Sequence, residues 1–374
     1  MKIALVHDHL IQDGGAEHVL RILQEIWPDA PTFTLLHDRE RAHPAFLSRD
    51  IRLSFIQRLP WAKRLYQWYL PLMPYATERH DLAGYDLVIS SASAFAKGVI
   101  TRPETLHISY CHTPTRYLWS DTHSYIAELN LPAPLKALVP FVLNPIRNWD
   151  RLSADRVDRF VANSRNVADR IQKYYRREAE VIYPPVDTKK FSLSPEIDSY
   201  YLAGGRLVSY KRFDLLVTAF SRLGIPLKIF GTGPLLGRLR EMAKPNIEFL
   251  GWVDEAGRAE LYRRCIAFLH PQVEDFGLTA VEAMASGRPV IAYNRGGALE
   301  TIIPGQTGCF IDEQSWEALA DTVIRFHPES FNSIRIRDHA LSFDTDRFKE
   351  RMKNYAEEAI KAFQMKQLTL GVKL

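Results

Sequence analysis

The sequence predicts an α/β fold of two Rossmann-like domains, each built on a parallel sheet. Short apolar runs alternate with amphipathic helical patterns from end to end, as in parallel strand–helix units. At 374 residues the chain is too long for one ordinary core, so two domains are expected. The alternation is interrupted once, at Tyr183-Pro184-Pro185-Val186-Asp187 and the polar stretch 192–199, and then begins again. Adjacent prolines remove two backbone donors and can continue neither a helix nor a central strand. The expected division is therefore 1–194, 195–345 and a closing segment, 346–374.

In the first domain, residues 2–6 read as a strand and 15–27 as a helix with Val19, Leu23 and Ile26 on one face. Residues 86–90, 106–110 and 159–162 are further strands. Val167, Ile171 and Tyr174 mark the next helix, with Asn163 or Ser164 as its cap. In the second domain, strands fall near 200–203, 226–230, 247–250, 266–270 and 289–293. Helices begin near Phe213, Leu235, Glu255, Leu278 and Leu299. The last segment carries Phe348, Met352, Tyr355, Ala359 and Phe363 along one helical face, long enough to cross back onto another domain.

Composition excludes several classes of function. Lys and Arg number 48 against 44 Asp and Glu, a net charge of only +4, so nothing in the balance points to a nucleic-acid partner. Cys111, Cys265 and Cys309 are odd in number and form no C-x-x-C pair, which argues against a disulfide framework or a zinc site and suits a reducing cytoplasm. The start, MKIALVHDHL, reads as a strand and not as a signal peptide. No stretch approaches the roughly 18 apolar residues needed to span a bilayer. A cytoplasmic protein is expected, with the inner membrane face as its one membrane contact.

The strongest chemical signal is the run His270-Pro-Gln-Val-Glu274-Asp-Phe276-Gly277-Leu278-Thr279-Ala-Val-Glu282. A strand ends there, a glycine-containing loop follows and a helix begins. Ligands in open α/β sheets sit outside the carboxyl ends of strands. The amides of Gly277, Leu278 and Thr279 at a helix start suit a diphosphate. Glu282, one turn into the helix, can reach a ribose diol, and Glu274 in the loop can accept from sugar hydroxyls. Gly204-Gly205-Arg206-Leu-Val-Ser-Tyr-Lys211-Arg212 places two cations, Arg206 and Lys211, on a strand-to-helix loop where they can clamp a diphosphate. Arg212 reads as an ordinary surface charge.

Other positions leave alternatives open. Asp13-Gly14-Gly15-Ala16-Glu17 either lets backbone approach a ligand closely or is a plain turn. His112, just past a strand in His112-Thr-Pro114-Thr-Arg116-Tyr-Leu-Trp119, either faces a sugar hydroxyl or is structural. Gly231-Thr-Gly233-Pro234 departs from a dinucleotide fingerprint, because Gly237 comes one residue late and Pro234 intrudes. Trp252, beside Val253, either stacks on a base or covers core. In 52–75, aromatics such as Trp61 and Trp68 interleave with Arg58, Lys63 and Arg64. That mixture suits an interface with anionic lipid or a lipid-pyrophosphate acceptor, with core packing as the alternative.

Glu274 and Glu282, separated by seven residues, together with the Arg206–Lys211 segment and the G-G-A-E loop, resemble the retaining glycosyltransferases of family 4, whose fold is GT-B. The resemblance covers almost the whole chain. It implies two domains facing a central cleft, with a C-terminal helix crossing back. It places Glu274 on the donor sugar, Glu282 on the ribose, and Arg206 and Lys211 on the diphosphate. It also gives the base to Trp252 and Val253, the reacting sugar to His112, and donor contacts to Gly14, Gly15 and the loop Phe276–Thr279. It implies a nucleotide-sugar donor, a saccharide acceptor on a lipid, no cofactor and no metal. The run through Trp119 is similar to bacterial mannosyltransferases of surface-polysaccharide synthesis, which makes GDP-mannose the expected donor. The rivals are a UDP-sugar transferase or a sugar-nucleotide 2-epimerase of the same fold, a dinucleotide oxidoreductase, and a non-catalytic sugar-binding subunit.

Overall fold

The computed structural model describes residues 1–129 and 131–369. It consists of two compact units. Met1–Tyr183 and the chain from Phe348 onward form the first, and Pro184–Arg347 the second. The division falls at the Tyr183-Pro184 junction, ahead of the polar stretch 192–199.

Among the described residues the first unit carries seven strands: β1 Ile3–His7, β2 Thr32–Thr34, β3 Ile51–Leu53, β4 Leu87–Ala92, β5 Leu106–Cys111, β6 Arg159–Ala162 and β7 Ala179–Val181. All pair in parallel, in the order β3-β2-β1-β4-β5-β6-β7. The central strands read as continuous apolar runs because helices cover both faces. Leu5, Leu87 and Ile89 enter one buried cluster, while Ala4, Val6 and Val88 enter the one on the opposite face.

Helix Gly15–Ile26 buries Val19, Leu20, Ile22 and Leu23 against this sheet. Helix Arg165–Tyr175 is capped by Ser164, whose Oγ accepts from the Val167 amide at 3.1 Å. Its buried face is Val167, Ile171 and Tyr175; Tyr174 is instead stacked on Trp119. The long helix Thr345–Thr369 places Phe348, Met352, Ala356 and Ala359 in the first unit's core.

The second unit repeats the plan with β8 Tyr201–Gly204, β9 Leu227–Phe230, β10 Ile247–Gly251, β11 Phe268–His270, β12 Val290–Tyr293 and β13 Gly308–Ile311. These are parallel, in the order β10-β9-β8-β11-β12-β13. Both sheets thus reverse their winding once, between β1 and β4 and between β8 and β11. Such a switch point leaves a crevice at the carboxyl ends of the two flanking strands, where α/β proteins bind ligands.

Four strands lack a readable signal in the sequence: β2, β3, β7 and β13, each only three or four residues long. Helix Ala133–Ser153 runs through Pro140 and Pro145. Among the described residues no helix is long and apolar enough to cross a membrane.

Candidate active site

In the second unit the loops after β8 and β11 meet across the switch point. Lys211 Nζ lies 2.9 Å from Glu274 Oε1, with the two side chains 14% and 19% exposed. Burial opposes the Lys211 charge, and the Glu274 carboxylate together with Tyr210 more than offsets it, so the ammonium is held above its ordinary value. Arg206 is exposed on the same loop, and its charge at Lys211 works in the opposite sense. The structure therefore gathers Arg206, Lys211 and Glu274 at the carboxyl end of the central strands. Arg212 is not a plain surface charge: its guanidinium holds both oxygens of Asp214, at 3.2 and 3.3 Å, and donates to Gln314 Oε1 at 3.0 Å.

Backbone bonds tie this loop to its neighbours. Leu207 N donates to Thr232 O at 2.9 Å, and Gly231 N to Gly251 O at 2.6 Å. A Cβ on Gly231 would come within 2.0 Å of the Gly205 carbonyl oxygen, and its φ is +113°, so only glycine fits. The Gly231-Thr-Gly-Pro run is thus a packing turn beside the Arg206 loop.

Glu274 is braced from two sides. Gly297 N donates to its carbonyl at 2.9 Å. Gln272 Nε2 donates to His270 Nδ1 at 3.1 Å and reaches Glu274 Oε1 at 3.5 Å. Burial lowers His270 to about 4, which leaves the imidazole neutral at pH 7.

Gly277, with φ +96°, opens helix Leu278–Ala285. The amides of Leu278 and Thr279 precede the first turn closed on the Gly277 carbonyl, by Ala280 N at 3.0 Å. One turn on, Glu282 Oε2 accepts from Tyr262 OH at 2.9 Å and lies 3.7 Å from Arg258 Nη1. Burial raises the Glu282 carboxyl; Arg258 and Tyr262 pull it down by less. The Phe276 ring is buried against Phe343, so this residue offers the loop its backbone. Trp252 is 76% exposed beside the half-buried Val253, so its indole covers no core.

In the first unit, Gly14 caps helix Gly15–Ile26 in an extended conformation, and Gly15 is exposed. His112, just past β5, is 9% exposed, with Nε2 2.8 Å from Ser91 Oγ at the end of β4. Two carboxylates that sequence reasoning missed shape this edge. Asp8, after β1, accepts the amides of Ser93, Ala94, Phe95 and Ala96 at 2.6–2.9 Å. Asp150 accepts from Lys97, Thr115, Trp119 and Tyr175 and so anchors the loop that follows His112. The His7-Asp8 pair closing the first strand was the available signal. Asp150 had none, since its partners are distant in sequence.

The segment 52–75 divides between both of its readings. Ile56, Ala62 and Met73 are core, whereas Trp61 and Trp68 are 76% and 68% exposed. Among the described residues no group of three His, Cys, Asp or Glu side chains is placed to hold a metal ion.

Residues 5–190 match the family described as Glycosyltransferase Family 4, and residues 187–335 match Glycosyl transferases group 1. The GDP-mannose-dependent alpha-(1-6)-phosphatidylinositol monomannoside mannosyltransferase of Mycobacterium tuberculosis is 33% identical over 174 residues, 38% of this chain and 45% of that one. The chain thus spans under half the length of that curated relative. Among solved structures, sucrose-phosphate synthase from Thermosynechococcus elongatus superposes with a TM-score of 0.76 at 18% identity, covering 97% of this chain and 100% of that one. Anabaena Alr3699/HepE in complex with UDP gives 0.70 at 16%, covering 96% and 100%. At such identities the likeness is one of fold, the GT-B fold.

Proposed function

The chain belongs to glycosyltransferase family 4, and from that membership we propose that it moves mannose from GDP-mannose to a hydroxyl of a lipid-linked saccharide, retaining the anomeric configuration. The observation that carries the reading is the Lys211–Glu274 pair at the switch point of the second sheet, with Arg206 on the same loop. Departure of a nucleoside diphosphate leaves growing negative charge on the phosphate oxygens. Fixed cations and helix-start amides favour that charge without reorganising. Arg206, Lys211 and the amides of Gly277, Leu278 and Thr279 take this part. Glu274 accepts from hydroxyls of the transferred hexose while its other partner, Lys211, turns to phosphate. Glu282 holds the ribose, and Trp252 and Val253 the base. To the first unit the reading gives a hydroxyl of the reacting sugar, at His112, and loop contacts at Gly14 and Gly15. No carboxylate is assigned as a covalent nucleophile, so the acceptor attacks the face from which the diphosphate leaves.

GDP-mannose as donor is supported by the matched mycobacterial relative, whose name carries it. A location at the inner membrane face is supported by the exposed Trp61 and Trp68 beside Arg58, Lys63 and Arg64.

Thermal unfolding with GDP, UDP and ADP tests the base, because a ligand of the native state raises apparent stability. GDP is expected to give the largest rise. Incubation with GDP-mannose and a polyprenyl-diphosphate saccharide should yield GDP and an α-mannosylated product. Conversion of the donor with no acceptor present would instead make the protein an epimerase, and a larger rise with UDP would overturn the choice of donor.

A further inference from the structure

We propose that Glu17, His7 and Ser91 act as positioning residues that hold His112 in a single tautomer, with its proton on Nδ1 and that nitrogen kept for a substrate oxygen. The inference rests on the assignment of His112 to the reacting sugar. It is carried by a run of buried polar groups across the switch point of the first sheet. His7 ends β1, Ser91 lies opposite it in β4, and His112 follows β5.

His7 Nδ1 is 3.1 Å from the Ser91 carbonyl oxygen. A carbonyl only accepts, so this nitrogen carries a proton. The same N–H reaches Ser91 Oγ at 3.2 Å. A hydroxyl that accepts there is free to direct its own proton to His112 Nε2 at 2.8 Å, which is the direction proposed. A neutral imidazole that accepts at Nε2 carries its proton at Nδ1. His112 is neutral, since burial and the nearby His7 bring it down to about 4 against the pull of Asp8 and Glu17.

A buried carboxylate stands at the far end of the run. His7 Nε2 faces Glu17 Oε1 at 3.9 Å, and Gln12 Nε2 donates to that oxygen at 3.3 Å. Glu17 is 1% exposed, and its Oε2 is buried without a hydrogen-bond partner. A buried carboxylate oxygen left bare is costly, which is unexpected for a group serving packing alone. Glu17 lies in the first turn of helix Gly15–Ile26, just after its Gly14 cap. A Cβ on Gly14 would lie 2.9 Å from the bare Oε2, so the glycine leaves room for the carboxylate. The run therefore links the first turn of helix Gly15–Ile26 to His112 through the ends of three strands.

Two-bond ¹H–¹⁵N correlation spectra of histidine-labelled protein at pH 7 report each imidazole's tautomer, with the His112 signals identified by their loss in His112→Gln. The parent is expected to show His112 as Nδ1–H. Ser91→Ala should lose that preference and Ser91→Thr should keep it. In the transfer assay Ser91→Ala should lower kcat about tenfold, the effect of losing one hydrogen bond at a reacting group, with donor KM changed less and Ser91→Thr restoring the rate. An Nε2–H tautomer in the parent overturns the proposal, as does a His112 tautomer unchanged in Ser91→Ala. The spectra need no substrate, so a parent that transfers no hexose would defeat the proposed function and leave this test standing.

Discussion

Lys211 and Glu274 show how much of a site one contact can hold. Each is a charge that burial disfavours, and each is tolerated because the other sits 2.9 Å away. Lys211→Ala removes both the partner of Glu274 and the cation that the proposed function assigns to the breaking of the glycosidic bond. An interaction that strengthens in the transition state appears mainly in kcat. Loss of one such donor typically costs about 10²–10³-fold. Lys211→Ala is therefore expected to bind GDP-mannose modestly worse and to transfer at least about a hundredfold more slowly while remaining folded. Turnover at the parent rate with saturating donor would rule out the phosphate clamp. Glu274 and Glu282 were legible in the sequence because their separation is counted along one loop and one helical turn. Tyr262 and Gln272 were not. The Tyr262 hydroxyl meets Glu282 from a different helix, and Gln272 acts through the buried His270, whose position depends on the strand it ends.

At the level of elements, helix Ala133–Ser153 and the short turns of 55–78 share one apolar cluster, with Leu143 and Ile146 packed with Ile56, Ala62 and Met73. Their outer residues stay uncovered: Leu138 and Phe141 are 57% and 76% exposed, as are Trp61 at 76% and Trp68 at 68%. Rings and aliphatic groups beside Arg58, Lys63 and Arg64 suit an anionic bilayer surface. Sedimentation with phosphatidylglycerol vesicles should carry the protein down, less so in high salt, since charge attraction is screened over roughly 8 Å at physiological ionic strength. Trp61→Ser, Trp68→Ser and Phe141→Ser combined should abolish co-sedimentation and spare nucleotide binding. Equal sedimentation of parent and triple variant would return these residues to a purely structural role. The helix itself was hidden in the sequence by Pro140 and Pro145. Each proline removes one backbone donor, yet the tertiary packing of Leu143 and Ile146 holds the helix together.

Across the whole molecule, histidines whose protonation burial opposes tie stability to pH, His37 and His80 among them. His107 is brought down to about 3, and His112 and His270 to about 4, burial being the largest cause in each. An unfolded imidazole takes up its proton near 6.5. Between that pH and the folded values the unfolded chain binds more protons, so stability is full above about 6.5 and falls as the pH drops toward 4. Each group adds a slope of about 1.4 kcal/mol per pH unit in that window. Asp158 and Glu282, whose carboxyls burial raises, work in the opposite sense and are outnumbered. The urea midpoint should be lower at pH 5 than at pH 7; an unchanged midpoint would mean that these imidazoles take up protons in the folded state.

The alternation of strands and helices, the interruption near Pro184 and the loop carrying Glu274 were all readable along the chain. Each is a matter of local covalent geometry: a strand alternates every two residues, a helix turns every 3.6, and proline cannot donate. Strand order is not local. Nothing in the sequence places β1 beside β4 or β8 beside β11, because the sheet is assembled by burying both of its faces at once. That order brings Lys211 to Glu274, sets His7 against Ser91 and His112, and lets Asp8 gather four amides from a loop more than eighty residues away. Which residue types could carry the proposed chemistry was therefore written in the chain, and which of them meet was decided by packing.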